Sequence, residues 1–437
     1  MALGGGTFVT QNKVLPGAYI NFVSLSSGVN TFGERGVSAI AAHLNWGNEG
    51  VQVITKEDFQ KNSLKIFGYD YTAPYLTWAR DFFKHGNTMI FYCLNDSKGK
   101  ASSNSFATAV KIGARGNDIR IAIQRNVDDE SKFDVTTYLD TIAVDCQTVG
   151  SASELVKNDF VLFNTSATLS ETAGTPLTGG ENSVVTGVSV QNWLNEMEGY
   201  TFNSIGLLFD EPDYQNLLVE WTKRMRDSVG KKFQAVVNLD STSDMSAGHE
   251  GIVIQANCGD DTDYSVAWLC GALAGCEINK SLTNMLYDGE MRFDKTNYTQ
   301  IELENFINNG YFCFHNVNDE IRVLLDINSL TEFTEEKGKV FSNNQTIRVC
   351  DQIAMDIAVI FNTRYLGIMP NDKAGRIALW GDIVKHARNL ESLRAIEDFN
   401  DTDVVVEQGE GKGSVVVNEN ITVVNTMEKL YMTVKVN

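Results

Sequence analysis

No apolar run in this 437-residue sequence approaches the ~20 residues that a helix needs to cross a bilayer, so insertion into a membrane is not expected. Positive charge is also short: 36 Lys and Arg face 56 Asp and Glu, a net charge of −20. Binding nucleic acid requires a basic surface to neutralise phosphates, so nucleic acid is excluded as the main partner. The seven cysteines, Cys93, Cys146, Cys258, Cys270, Cys276, Cys313 and Cys350, are odd in number and scattered. None makes the CxxC spacing of a zinc or redox site, and reduced, mostly buried thiols in a cytoplasmic product are expected. Met1-Ala2-Leu3-Gly4 lacks the basic head and apolar core of a signal peptide, which points the same way.

Catalytic patterns are equally sparse. Gly409-Glu410-Gly411-Lys412-Gly413-Ser414 lacks the GxxxxGK[ST] spacing and lies between valine segments, so a hairpin turn is expected rather than a phosphate cradle. Asp210-Glu211-Pro212-Asp213 follows an apolar run, where acidic residues favour the positive end of a helix. Gly259-Asp260-Asp261-Thr262-Asp263 has the acidity of a calcium loop without its ligand register. The five histidines, His43, His85, His249, His315 and His386, form no HExxH pair, and no GxSxG elbow occurs. No catalytic residue, cofactor or metal is expected.

At 43% hydrophobic and 10% aromatic the chain can bury large cores, and its length suggests about three domains at ~150 residues each. Gly36 to Ala42 and Met89 to Leu94 look like buried strands, and Ala73 to His85 like a helix with Pro74 in its first turn. From about Lys98 to Ser183 the composition turns to Thr, Ser, Val and Asp in short alternating segments, the pattern of a small all-β domain. After Gly187 strand–helix alternation returns: Ser204–Phe209, Pro212–Val229, Phe233–Asn238 and the small-residue helix Ser265–Ala274. One α/β domain interrupted by a β insertion is the simplest account. Two long helices follow, about Asn343 to Tyr365 and Asp372 to Arg394, and then valine strands Val404–Val406 and Ser414–Val417.

Both ends read as strands with no neighbour in sequence to pair with. Leu430-Tyr431-Met432-Thr433-Val434-Lys435-Val436 is one, and Ala18-Tyr19-Ile20-Asn21-Phe22-Val23, after Pro16-Gly17, is the other. Such segments suit a subunit that lends strands to its neighbours. The helix after Asp372 carries Lys373, Arg376, Lys385, His386 and Arg388 against the acidic background, a strip suited to an acidic partner.

Several motifs, in order along the chain, resemble contractile tail sheath proteins of myophages, PBSX-like prophages and R-type bacteriocins. They are Leu15-Pro16-Gly17-Ala18-Tyr19-Ile20, Ala114-Arg115-Gly116-Asn117-Asp118-Ile119, Leu177-Thr178-Gly179-Gly180 and Val266-Ala267-Trp268 with Leu273-Ala274-Gly275. Asp326 to Thr331, Tyr365-Leu366-Gly367, Asn371-Asp372 and Met427 to Val434 complete the series.

The resemblance implies a structural subunit in stacked hexameric rings around a tail tube, joined by arm strands to the C-terminal domains of neighbours. Baseplate and terminator or collar proteins would be its further partners. Assembly in the host bacterial cytoplasm and residence in a virion tail or tail-like particle follow from it. The implied fold is α/β: an arm (1–30), a discontinuous α/β domain (31–97 and 185–322), an inserted β domain (98–184), a C-terminal domain (323–427) and an arm strand (428–437). In this scheme the basic strip faces the tube. An enzyme on an α/β domain with an inserted β lid, or the sheath of a related injection system, are the alternatives.

Overall fold

The computed structural model describes residues 35–95, 98–238, 247–256, 262–293 and 295–436, with the backbone alone at Thr262 and Asp263. The expected N-terminal arm strand, Ala18–Val23, lies outside the described residues, as does most of the acidic loop Gly259–Asp263.

The body grows from a seven-stranded sheet. Strand β1 (Val37–Ala42) is followed by β2 (Gly50–Thr55), helix α1 (Lys56–Phe67), α2 (Thr77–His85) and β3 (Thr88–Cys93). An insertion comes next: β4 (Ala107–Ala109), β5 (Ile119–Arg125), β6 (Phe133–Leu139), β7 (Ile142–Val149), β8 (Val161–Phe163) and β9 (Thr172–Pro176). The α/β pattern then resumes with α3 (Gly187–Met197), β10 (Ser204–Leu208), α4 (Pro212–Lys223), β11 (Gln234–Asn238), β12 (Ile252–Gln255), α5 (Thr262–Gly275), α6 (Gln300–Asn308) and β13 (Tyr311–Phe312).

The strand order is β13-β12-β11-β10-β1-β3-β2, parallel except for β2, which runs antiparallel to β3 on the edge. Because side chains alternate along a strand, each central strand feeds two cores. Ile40, Phe91 and Val236 meet α2 and α5 on one face; Ala39, Tyr92 and Ile205 meet α3 and α4 on the other. This is a three-layer α/β/α sandwich, which explains the continuous apolar runs seen in the sequence.

The small residues of α5 have a specific use. A Cβ on Gly271 would stand 2.4 Å from the Phe82 carbonyl oxygen, and one on Gly275 would stand 2.1 Å from that of His85. Glycine lets α5 lie directly on the backbone of α2.

The insertion makes a four-stranded antiparallel sheet, β7-β6-β5-β9, and a small β4–β8 pair around its own core. Trp46, from the loop after β1, packs into that core against Phe160. Arg115 seals the junction: it donates to the Gly68 carbonyl at 2.9 Å, pairs with Asp118 and Asp140, and stacks on Tyr69.

Past the body come the hairpin β14 (Phe314–Val317) and β15 (Glu320–Val323), α7 (Asn344–Arg364) and α8 (Lys373–Ser392). The chain closes with β16 (Ile396–Glu397), β17 (Val404–Gln408), β18 (Val415–Glu419) and β19 (Thr422–Val423). Two differences from the sequence reading stand out. The helix expected over Pro212–Val229 is α-helical only to Lys223, and Arg224–Val229 is a π-helical turn. The expected strand Leu430–Val436 pairs with nothing among the described residues. A strand is defined by its partner, and among the described residues this segment has none.

Candidate functional site

Gly409 N–H donates to the Ser414 carbonyl at 2.9 Å, closing the β17–β18 hairpin, so the glycine-rich loop is a turn. At Pro212 the helix starts as expected, but Glu211 at its N-cap makes no side-chain capping bond.

Asp227, His249 and Glu250 bring ligand atoms within 4.8 Å of one another, a grouping that sequence spacing did not reveal. Its bonding is nonetheless that of an ion-pair junction. His249 Nδ1 accepts from Gly251 N–H at 2.9 Å, which puts the ring proton on Nε2, facing Asp227 at 3.2 Å. Lys337 Nζ lies 2.9 Å from both oxygens of Glu250. Burial also holds the His249 imidazole below its ordinary pKa, favouring the neutral ring.

The strongest site is the C-terminal region. Helices α7 and α8 form an antiparallel pair whose shared core holds Ile360, Tyr365, Leu379, Ile383, Val384 and Val404. The β17–β18 hairpin lies on this pair, tied by a bond from Trp380 Nε1 to the Val404 carbonyl at 3.0 Å. Val404 and Val406 point inward; Val405 and Val416, on the opposite face, are more than two-fifths exposed. Among the described residues the hairpin is a two-stranded sheet: Trp380 takes the Val404 carbonyl on the outer edge of β17, and neither outer edge has a strand partner. A lone hairpin is marginal in water, and open edges of this kind invite another strand.

The segment beyond β19 is the complementary feature. Leu430 is 85% exposed, Tyr431 89% and Val436 91%, and Met432 and Val434 are also exposed. Alternating strand-forming residues are thus exposed to solvent in the same chain that carries a two-stranded hairpin. Sequence reasoning identified the segment; the hairpin edges became visible only in the fold.

The basic strip is divided by the structure. Lys373, Lys385 and Arg388 are exposed on α8, and Arg376 is half-buried with its guanidinium on Asn371. Arg388 is paired to Asp401. His386 does not belong to the surface: it is 3% exposed and its Nε2 lies 2.9 Å from Asp356 of α7. It shares the inward face of α8 with Ile383 and Leu390, which corrects its place among the tube-facing candidates.

The chain matches four family descriptions in succession. They are the tail sheath protein Gp18 domain III N-terminal region (residues 35–92), the phage tail sheath protein beta-sandwich domain (95–182), the phage tail sheath protein central domain (183–329) and the phage tail sheath C-terminal domain (336–437). It is 30% identical to the phage-like element PBSX protein XkdK of Bacillus subtilis, over the whole of both chains. It is also 30% identical to YqbK of the same organism, over 99% of this chain and all of that one.

Among solved structures, the sheath tail protein of Desulfitobacterium hafniense superposes with a TM-score of 0.81 at 32% identity, covering 95% of this chain and 99% of that one. The Listeria innocua sheath tail protein Lin1278 gives 0.75 at 31% identity, covering 92% and 94%. The contracted helical sheath of the anti-feeding prophage shares the fold, with a TM-score of 0.56 at 10% identity over 97% and 99%.

Proposed function

The chain belongs to the phage tail sheath family, and from that premise we propose that it is the repeating subunit of a contractile sheath, stacked in hexameric rings around a tail tube. The observation that carries this reading is that, among the described residues, the chain has both a strand-forming tail without a strand partner and a hairpin with no strand on either outer edge. Strand addition to an exposed edge is a general mode of association. Here Leu430–Val436 of one subunit would join an edge of β17–β18 in a neighbour. Ala18–Val23 of another neighbour would take the opposite edge. Each edge is then occupied by a specified partner, which removes the hazard of open edges. A head-to-tail contact that does not close generates a helical polymer.

The role is mechanical. Under this reading the extended sheath is kinetically trapped, and a trigger at the baseplate lets rings rotate into a wider, shorter lattice with larger interfaces. The joined strands keep neighbours linked while the tube is driven through a target envelope. Assembly takes place in the host bacterial cytoplasm, and the product is part of a virion tail or tail-like particle capped by terminator or collar proteins.

Within the subunit, 1–30 and 428–437 serve as arms, 31–97 with 185–322 as the α/β domain, 98–184 as the outer insertion and 323–427 as the inner, strand-linked domain. Lys373, Lys385 and Arg388 on α8, with Arg376, would grip an acidic tube. Charge pairs at an exposed rim contribute ~0–1 kcal/mol each and release readily, as contraction requires.

Deleting residues 429–437 tests the reading. Because the side chains of Leu430–Val436 are exposed among the described residues, the truncated subunit should stay folded and soluble but form no sheaths. Tubes of normal length from the truncated protein would overturn the strand-exchange mechanism.

A further inference from the structure

The arm does not hang from the body by backbone alone. Gln345, in the first turn of α7 and 1% exposed, donates from Nε2 to the Val424 carbonyl at 2.9 Å. Its Oε1 accepts from Thr426 N–H at 3.0 Å. One side-chain amide thus bonds the C=O and N–H of residues two apart, as a single residue of a parallel neighbouring strand would.

Its flanking residues act on the same stretch. Thr346 Oγ1 bonds Asn425 Oδ1 at 3.2 Å, and Asn343 Nδ2 bonds Glu428 Oε1 at 2.9 Å. Val424 N–H donates to the Ala395 carbonyl, tying the same root to the end of α8. Among the described residues no hydrogen bond ties the arm beyond Glu428, and the side chains from Met427 onward are exposed.

The opposite side of the same turn grips the body. Asn344 Nδ2 bonds Asp326 Oδ1 and the Ile327 carbonyl, and its Oδ1 accepts from Gln234 Nε2 of β11. One turn on, Arg348 pairs with Asp326 with both side chains fully buried, and Asp351 pairs with Arg226 of the π-helical turn.

We infer that Gln345 is the anchor of the C-terminal arm: with its neighbours it fixes the pivot at residues 427–428 and passes tension from the arm through the first turn of α7 into the α/β body. This rests on the arm being an inter-subunit strand, and it adds where the arm may bend and where it may not. Lattice rearrangement would rotate the arm beyond Glu428 while residues 424–426 stay docked. A buried amide with both partners satisfied, and costly to leave unmade, is suited to hold under load.

The test replaces Gln345 with Met, which keeps the volume and removes both bonds, in the full-length chain. Hydrogen exchange in the unassembled native subunit should first show Thr426 N–H at least ten-fold slower than the amides of Leu430–Val436. In Q345M that protection should fall at least ten-fold while α7 and α8 stay protected beyond their first turns. Q345M sheaths should assemble but break into fragments when contraction is triggered, where native sheaths stay continuous. Should Q345M fail to fold, T346V removes the adjoining bond and should give the same fragmentation in weaker form.

Native Thr426 exchanging as fast as the arm, or variant sheaths contracting unbroken, would overturn the anchor. Normal sheaths from the 429–437 deletion would instead overturn the arm's inter-subunit role, a separate result that leaves the exchange readout intact.

Discussion

Removing the Asp326 carboxylate should destabilise the subunit more than removing any exposed ion-pair partner. Asp326 is 0% exposed. Its Oδ2 accepts from Leu282 N–H at 3.0 Å and from Arg348 at 3.2 Å, and its Oδ1 accepts from Asn344 at 2.9 Å. Asp326→Ala leaves the guanidinium of Arg348, 1% exposed at its side chain, buried without this partner. Breaking a buried pair in that way costs ~3–5 kcal/mol, a large share of the ~5–15 kcal/mol that holds a native fold.

The matched control is Asp401→Ala, which releases Arg388 at the surface and should cost ~0–1 kcal/mol. Removing both charges, as Asp326→Leu with Arg348→Met, should recover part of the loss because no charge is stranded. Denaturant midpoints measured on unassembled subunits give all three values. An Asp326→Ala variant no less stable than Asp401→Ala would refute the reasoning.

Two other perturbations probe different levels. Gly271→Val forces a side chain into the backbone of α2 and should lower stability by ~1–3 kcal/mol through overpacking, read as a lower melting temperature. An unchanged melting temperature would mean that α5 can slide off α2. Reversing Lys385 and Arg388 to Glu should leave sheath polymers intact but lower the yield of extended, tube-filled particles counted by electron microscopy. An equal yield would remove α8 from the tube contact.

Much of this was legible in the sequence because it is local. Apolar runs such as Met89–Leu94 mark strands covered on both faces, and the small residues of Ser265–Ala274 marked a close-packed helix. The hairpin β14–β15 was missed although Asn318 and Asp319, both at positive φ, are the turn signal for it. His386 was misplaced by reading charge along α8 without its period: it falls three residues after Ile383 and four before Leu390, on the buried stripe. What pairs across long separations was not legible at all. Arg226 and Asp351 are 125 positions apart, and the anchoring of residues 424–426 by Gln345 spans about eighty. No periodicity encodes such contacts; only the fold brings them together.

The account's central claim is that the exposed tail of one subunit completes the sheet of another. A helical reconstruction of the assembled polymer, at a resolution that traces the backbone, tests it most directly. The account predicts Leu430–Val436 hydrogen-bonded along an open edge of a neighbouring subunit's β17–β18 hairpin, with residues 424–426 still held by Gln345 of their own chain. A tail folded back onto its own subunit, or left in solvent beside an unoccupied hairpin edge, would contradict it.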